Sequence, residues 1–413
     1  FRDDLRQNFS STQLKEWGID SIDSFDYGIF LKAHGFSADD YKHNKKEDPL
    51  RIHFQNYQNE QMKQRIAAVY EYAEKLRGIP LVRSVNSSAS SPRTIIPSPI
   101  IDYFCGECGH SAASTQVSND PVFVYRMVET LGDRQTATAS GQDWAWIKAN
   151  DKPGLVRTWI AQAYAYGSVF MVPHRQWCYT EELGTHWWNG KVEDFAYLYR
   201  FVRENASLLD DFISLANIAV LCSNYDFHQG EDMADLLGKS NIPFDLLYTP
   251  TLQSAPTQTD LSRKYEALLV SSEAGKQAEW LKNSTLPTIE WNGMESIPHA
   301  LKPSITSDKV NSIRISFRYK PMNSNGANQT NSPVVCHVLN QNYSVETDSV
   351  QSAPSIKISF PKNLLKKTNR TSLQKAIVHE PQKEIRTVSV TNTDSDYSFT
   401  LENLGLWAIV EFQ

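Results

Sequence analysis

Apolar residues recur at helical spacing between Val156 and Gly167, at Val156, Trp159, Ile160, Ala163 and Tyr164. The pattern predicts a helix that Gly167 ends in the left-handed conformation. The run Val169 to Val172, bounded by Gly167 and Pro173, predicts a buried strand. Upstream, SSTQLKEWGI offers an N-cap Ser before a short amphipathic turn. From about Leu50 to Leu76 a second helix is predicted, with Phe54, Tyr57, Met62, Ile66, Val69, Tyr70 and Ala73 on one face and Gly78 and Pro80 as its stop. Leu81, Val82 and Val85 predict a short strand, Ile100 to Phe104 another, and Gln135 to Ala139 a third. Between the last two, Pro121 to Leu131 has Pro in its first turn and Gly132 at its exit, the asymmetry of a helix.

Strands alternating with helices, each strand ending in polar or aromatic residues, give the rhythm of a (β/α)8 barrel. Residues 1–203 hold only about four such units. Half a barrel leaves sheet edges open, so the expectation is the C-terminal part of a TIM barrel whose other strands precede Phe1. Residues 204–303 alternate again, with strands at Ile218 to Cys222, Phe244 to Tyr248, Tyr265 to Val270 and Thr288 to Trp291, and helices at Glu231 to Lys239 and Glu273 to Leu281. This predicts a small parallel α/β sheet. Residues 304–413 change to period two, at Ile313, Ile315, Phe317; Val334, Cys336, Val338; Ile356, Ile358, Phe360; Val388, Val390; and Leu406, Ala408, Val410, Phe412. An antiparallel β-sandwich is predicted there.

Composition narrows the function without naming it. A net charge of −6, a pI near 6.0 and no basic stripe argue against nucleic acid, and no apolar run approaches a membrane span. Ser223, Asn224, Tyr225 and Asp226 stand where a phosphate-binding loop needs glycines, so no nucleotide and no other cofactor is expected. Five cysteines are too few for a disulfide scaffold. Cys105, Cys108 and His110 fall short of a four-ligand zinc site, and the two thiols read as buried strand residues. The chain starts at Phe1 without an initiator Met or a signal peptide, which suggests a fragment; a periplasmic or extracellular setting is favoured.

The candidate chemistry gathers at the predicted strand ends. After Val172 come His174, Arg175, Trp177, Glu181, Glu182, His186 and Trp187. Rings mixed with cations and acids suit a sugar, whose C–H faces stack on aromatics while its hydroxyls take polar partners. Trp144, Trp177 and Trp187 are the expected stacking platforms. Arg83, Asn86, His110, Gln142, His174, Arg175, Glu182 and His186 are the expected substrate contacts, and so many cations raise the prospect of a sulfated or uronic sugar. Glycoside hydrolysis needs two carboxyl groups, and the candidates are Glu107, flanked by Gly106 and Gly109, then Asp143, then Glu181.

The stretch LVRTWIAQAYAYGSVFMVPHRQWCYTEELGTHWWNG, Leu155 to Gly190, resembles the eighth strand and following loop of glycoside hydrolase family 42 β-galactosidases and their relatives in the retaining-glycosidase clan. FRDDLRQNF and GIDSIDSFDY are similar to a stretch that follows that family's Asn-Glu pair, and IAVLCSNYDFHQGEDMADLLGKSNIPFDLLY to the opening of its flavodoxin-like domain. The resemblance implies hydrolysis of β-linked glycosides, galactosides or an algal or plant polysaccharide, with the acid/base upstream of Phe1 and oligomer contacts through the middle domain. It also implies a nucleophilic Glu at the end of the seventh strand. Here that strand reads RQTATASGQDW and has none. A carbohydrate-binding relative without activity is therefore the alternative.

Overall fold

The computed structural model describes residues 1–42, 50–173, 188, 190–223, 227–249, 258–271, 286–321, 332–370 and 372–413. They pack as two compact units, 1–82 and 83–413.

The first unit is helical: α1 (Arg2–Asn8), α2 (Ser11–Glu16), α3 (Tyr27–Ala33), α4 (Ala38–Lys42) and α5 (Arg51–Arg77). Ser10 and Gln13 close a capping box on α2, the reciprocal pairing that satisfies two free N–H groups at once. Leu5, Leu14, Ile19, Phe25, Phe30 and Leu50 form its core, with Phe1 and Phe54 against it. Only the start of α5 packs there. Val69, Tyr72 and Leu76 are exposed, and Gly78 ends the helix at φ 69°.

The second unit opens on a parallel sheet of β1 (Ser84–Val85), β2 (Tyr103–Cys108), β3 (Gln135–Ala139) and β4 (Val169–Phe170), in sequential order. Helices α6 (Pro121–Thr130), α7 (Gly141–Asn150) and α8 (Pro153–Ala165) connect them. Successive strand residues point to opposite faces. Phe104, Cys108, Ala137, Ala139 and Phe170 are buried on one face, whereas Cys105, Glu107, Thr136 and Val169 on the other are half-buried or exposed. The second strand begins three residues later than its apolar pattern predicts. Pro97 precedes and Pro99 lies within a 3-10 turn, Ser98–Ile100, where proline's missing N–H costs no ladder bond. The strand therefore takes Cys105 and Glu107 into itself. Similarly β1 is reduced to two residues, and Val82, expected in a strand, is exposed.

After α9 (Val192–Glu204), β5 (Ile213–Ser214) precedes a second parallel sheet built from β6 (Ile218–Cys222), α10 (Phe227–Lys239), β7 (Phe244–Tyr248), α11 (Gln258–Lys264), β8 (Ala267–Val270) and β9 (Thr288–Glu290). Its spatial order is second, first, third, fourth, the flavodoxin-like winding. The helix predicted at Glu273 to Leu281 lies outside the described residues.

The remainder is a two-sheet antiparallel sandwich of β10 (Ser304–Thr306), β11 (Ile313–Tyr319), β12 (Val334–Asn340), β15 (Ala353–Pro361), β16 (Lys375–His379), β17 (Arg386–Ser389), β18 (Thr391–Asn392), β19 (Asp396–Leu404) and β20 (Trp407–Phe412), with the small hairpin β13 (Tyr343–Ser344) and β14 (Ser349–Val350) beside it. Phe317, Phe360, Phe399 and Phe412 meet between its sheets. β5 pairs with β11 at its edge, Ile213 opposite Tyr319.

Buried charge ties the layers of this unit together. Glu129 on α6 accepts from Arg318 of β11 at 2.9 Å and from the Ser214 N–H at 2.7 Å, and pairs with Arg126 at 3.2 Å. Gly167, at φ 81° as its sequence position predicts, lies where any Cβ would overlap the Arg318 guanidinium.

Candidate active site

In a parallel sheet the loops that can build a site leave from the carboxyl ends of the strands. Asn86 follows β1, Glu107 occupies the end of β2, and Gln142 opens α7 after β3; all three are exposed. Glu107 pairs in register with Thr138, whose hydroxyl donates to the Met171 carbonyl at 3.0 Å. Beyond β4, the Gly190 N–H donates to the Pro173 carbonyl at 2.8 Å. Pro173 and Gly190 thus meet just past the end of β4. His174, Arg175, Trp177, Glu181, Glu182, His186 and Trp187 lie outside the described residues.

Asp143 is not an open acid. It is buried in the first turn of α7, and its Oδ2 accepts the Ser140 hydroxyl at 2.7 Å, the His110 N–H at 2.9 Å and the Ser140 N–H at 3.3 Å, while Oδ1 accepts the Ala112 N–H at 2.7 Å. A carboxylate has about four acceptor positions. Oδ2 takes three donors and Oδ1 one, and with the residue buried the carboxylate presents no open face to a substrate.

Trp144 is corrected in the same way. It is fully buried, stacked on Trp188 with centroids 6.0 Å apart and edge-on to Trp159 at 5.7 Å, and its indole N–H donates to Thr138 Oγ1 at 3.3 Å. It offers no face to a sugar. His110 is also fully buried, its ring stacked on Trp159 at 4.5 Å and edge-on to Phe170, with neither ring nitrogen hydrogen-bonded. Burial lowers its pKa to about 4, against a smaller opposing pull from the Asp143 charge. Arg83 precedes β1, with its N–H on Asp102 Oδ2 at 2.7 Å and its carbonyl taking the Asp102 N–H at 2.9 Å. That is the amino end of the sheet. Gly106 does not open the sheet to a substrate either, because the Ser87 backbone fills the space where a Cβ would lie. Gly109 has open space beside it.

Of the two thiols expected to be buried, Cys108 is, and burial pushes its pKa up to about 12, far from the thiolate that metal binding or disulfide exchange uses, whereas Cys105 is only half-buried, on the other face of β2. A cavity of about 700 Å³ lies in the first unit between Phe1, Phe25, Tyr27 and Phe54, but the acids at its rim are occupied. Asp26 caps α3 through the Ile29 N–H, and Asp3 pairs with Arg6.

Two features escaped sequence reasoning. Trp188 anchors the base of the loop after β4 between Trp144 and Phe195; the Trp-Trp-Asn-Gly sequence marked an aromatic cluster but not which ring is buried. Thr138, an ordinary strand residue in sequence, connects Trp144 to Met171.

No protein-family model matches this chain. An alpha-agarase from Alteromonas agarilytica is 24% identical over 437 residues, covering 100% of this chain and 29% of that protein. A second alpha-agarase, from Thalassotalea agarivorans, is 28% identical over 267 residues, covering 60% of this chain and 18% of its own length. The chain spans less than a third of these relatives. Among solved structures, alpha-L-fucosidase isoenzyme 2 from Paenibacillus thiaminolyticus superposes with a TM-score of 0.56 at 10% identity, over 93% of this chain and 74% of that one. That likeness is one of fold.

Proposed function

We propose that this chain is part of a glycoside hydrolase that cleaves a galactan-type polysaccharide, with Glu107 as one of its two carboxylates. The observation that carries the reading is the alignment of the whole chain with a protein named for cleaving agar. Glu107 supports it from the structural side, as an exposed acid at the carboxyl end of a parallel strand, where a site in such a sheet is built. The resemblance to β-galactosidases led to β-linked substrates, whereas both curated relatives are named for the alpha linkage. The proposed bond is accordingly α-linked. The four-stranded sheet is read as part of a barrel, with the second carboxylate supplied by Glu181 or from beyond this stretch, and oligomer contacts are assigned to the middle layer. A polymer too large to cross a membrane places such an enzyme outside the cytoplasm.

Asp143 supports a second reading. With Asp143 buried and bound to His110, Ala112 and Ser140, the strand end at which the resembled β-galactosidases carry their nucleophile holds no open acid, as expected of a protein that binds the glycan without cutting it.

The test uses the full-length protein on agarose, on a β-linked galactan and on sulfated galactans, scoring new reducing ends alongside binding. Cleavage of agarose that disappears in Glu107→Gln supports the first reading. Binding without cleavage by the parent selects the second, and neither binding nor cleavage of any galactan removes both.

A further inference from the structure

We infer that Asp143 is a positioning residue that holds the turn after β2 and thereby fixes Glu107 for its reaction; the inference rests on the reading of Glu107 given above. The turn needs holding. Gly109 is exposed with open space around it, so nothing in that residue restrains the backbone immediately beyond Glu107 and Cys108. Two non-glycine residues of the turn are left-handed, Ser111 at φ 53° and Thr115 at φ 57°, and a β-branched residue there is a steric outlier. Such a conformation persists only where its surroundings impose it.

At Ser111, Asp143 imposes it from the adjacent strand end. One oxygen holds the His110 N–H and the other the Ala112 N–H, on either side of left-handed Ser111. The Ser140 hydroxyl holds the carboxylate in turn, and the capping box fixes it to the start of α7. The His110 ring, wedged against Trp159 and Phe170, pins the turn to the helical face of the sheet. A carboxylate at this position is required twice over. It accepts from two backbone donors, and an amide would turn an N–H₂ group toward one of them.

The experiment compares Asp143→Asn, Glu107→Gln and Ser140→Ala in the full-length enzyme, with kcat and KM on agarose oligosaccharides, the pH profile of kcat/KM and a melting curve for each. Asp143→Asn is expected to lose 10- to 100-fold in kcat with KM within three-fold, and to keep both limbs of the pH profile at their original midpoints, since Asp143 exchanges no proton with substrate. Ser140→Ala, which leaves both backbone contacts of Asp143 in place, is expected within three-fold of the parent. If Asp143→Asn folds poorly, Ser111→Gly is added to it to remove the left-handed penalty, and the same comparison is made. A folded Asp143→Asn with parental kcat overturns the inference, as does loss of one pH limb, which would make Asp143 itself a reacting acid. An unimpaired Glu107→Gln removes the assignment of Glu107, and with it the link between the two residues, whatever Asp143→Asn does.

Discussion

Asp348, in the turn between β13 and β14, receives the backbone N–H of Gly154 on both carboxylate oxygens, at 3.0 and 2.9 Å. Gly154 is the second residue of α8, whose own N-cap, Lys152, provides no side-chain acceptor. The sandwich hairpin therefore caps a helix of the first sheet, placing a negative charge at its positive end. Tyr343 steadies the carboxylate at 2.7 Å, and Lys152 reaches back to the Val345 carbonyl at 2.8 Å. Asp348→Ala should cost about 1–2 kcal/mol, the scale of a lost cap. Gly154→Ala should cost more, because its Cβ would overlap the Asp348 backbone. Denaturant midpoints measure both, and an Asp348→Ala protein as stable as the parent would show that the cap is idle.

Trp144 separates packing from recognition. Removing a fully buried indole leaves a cavity, and Trp144→Ala should destabilise by about 3–5 kcal/mol. A stacking platform would behave in the opposite way, losing glycan affinity at little cost in stability. Parallel melting and glycan-binding curves tell the two apart.

His110 makes stability depend on pH. Its pKa lies near 4 in the fold against 6.5 when exposed, so unfolding takes up a proton between those values. Its contribution is complete above pH 6.5 and is lost as pH falls through the window toward 4, by about 3 kcal/mol in all. Asp133 acts in the other direction. Burial raises it to about 6, so it favours the fold as pH drops below that value, but it is only half buried and its effect is screened. The comparison is therefore between parent and His110→Phe, unfolded in urea at pH 4, 5, 6 and 7. The variant should be markedly less acid-sensitive; identical slopes would mean that the imidazole keeps its proton equilibrium on folding.

Glu107 should behave as a functional rather than a structural acid. It is exposed, so Glu107→Gln is expected to change stability by less than about 0.5 kcal/mol while lowering kcat by roughly 1,000-fold. A protein that loses stability and activity together would point to a structural acid.

Much of the fold was legible in the sequence because the periods differ. Gln135–Ala139, Ile218–Cys222 and Phe244–Tyr248 have the bounds that their sequences predict, and Ile218–Cys222, buried throughout, reads as the continuous apolar block of a parallel strand covered on both faces. β16, of five residues, and β19, of nine, are not predicted although Tyr397, Phe399 and Leu401 alternate, because polar residues such as Asp394, Ser395 and Asp396 around them resemble turns. The site was less legible. Sequence spacing brings Asp143 and Trp144 to a strand end but does not show which way the chain turns there, and α7 begins at once, carrying both inward. The sequence places Glu107 just past a strand ending at Phe104, whereas β2 continues through it to Cys108 with the acid exposed; the fates of His110 and Gly106 depended on Trp159 and Ser87, neighbours distant in sequence.

The pairing of β5 with β11 has a consequence for dissecting the molecule. A strand contributed before the middle layer lies against one contributed after it, so that layer is bracketed by the sandwich rather than strung ahead of it. A piece cut to begin at residue 304 would lose Ile213 and Ser214, together with the Leu215 N–H that donates to the Phe317 carbonyl at 2.9 Å. The backbone groups from Phe317 to Tyr319 would be bare along a sheet margin, which is a template for edge-to-edge association between copies. An isolated sandwich that self-associates would then reflect where the chain was cut, not how the intact protein assembles.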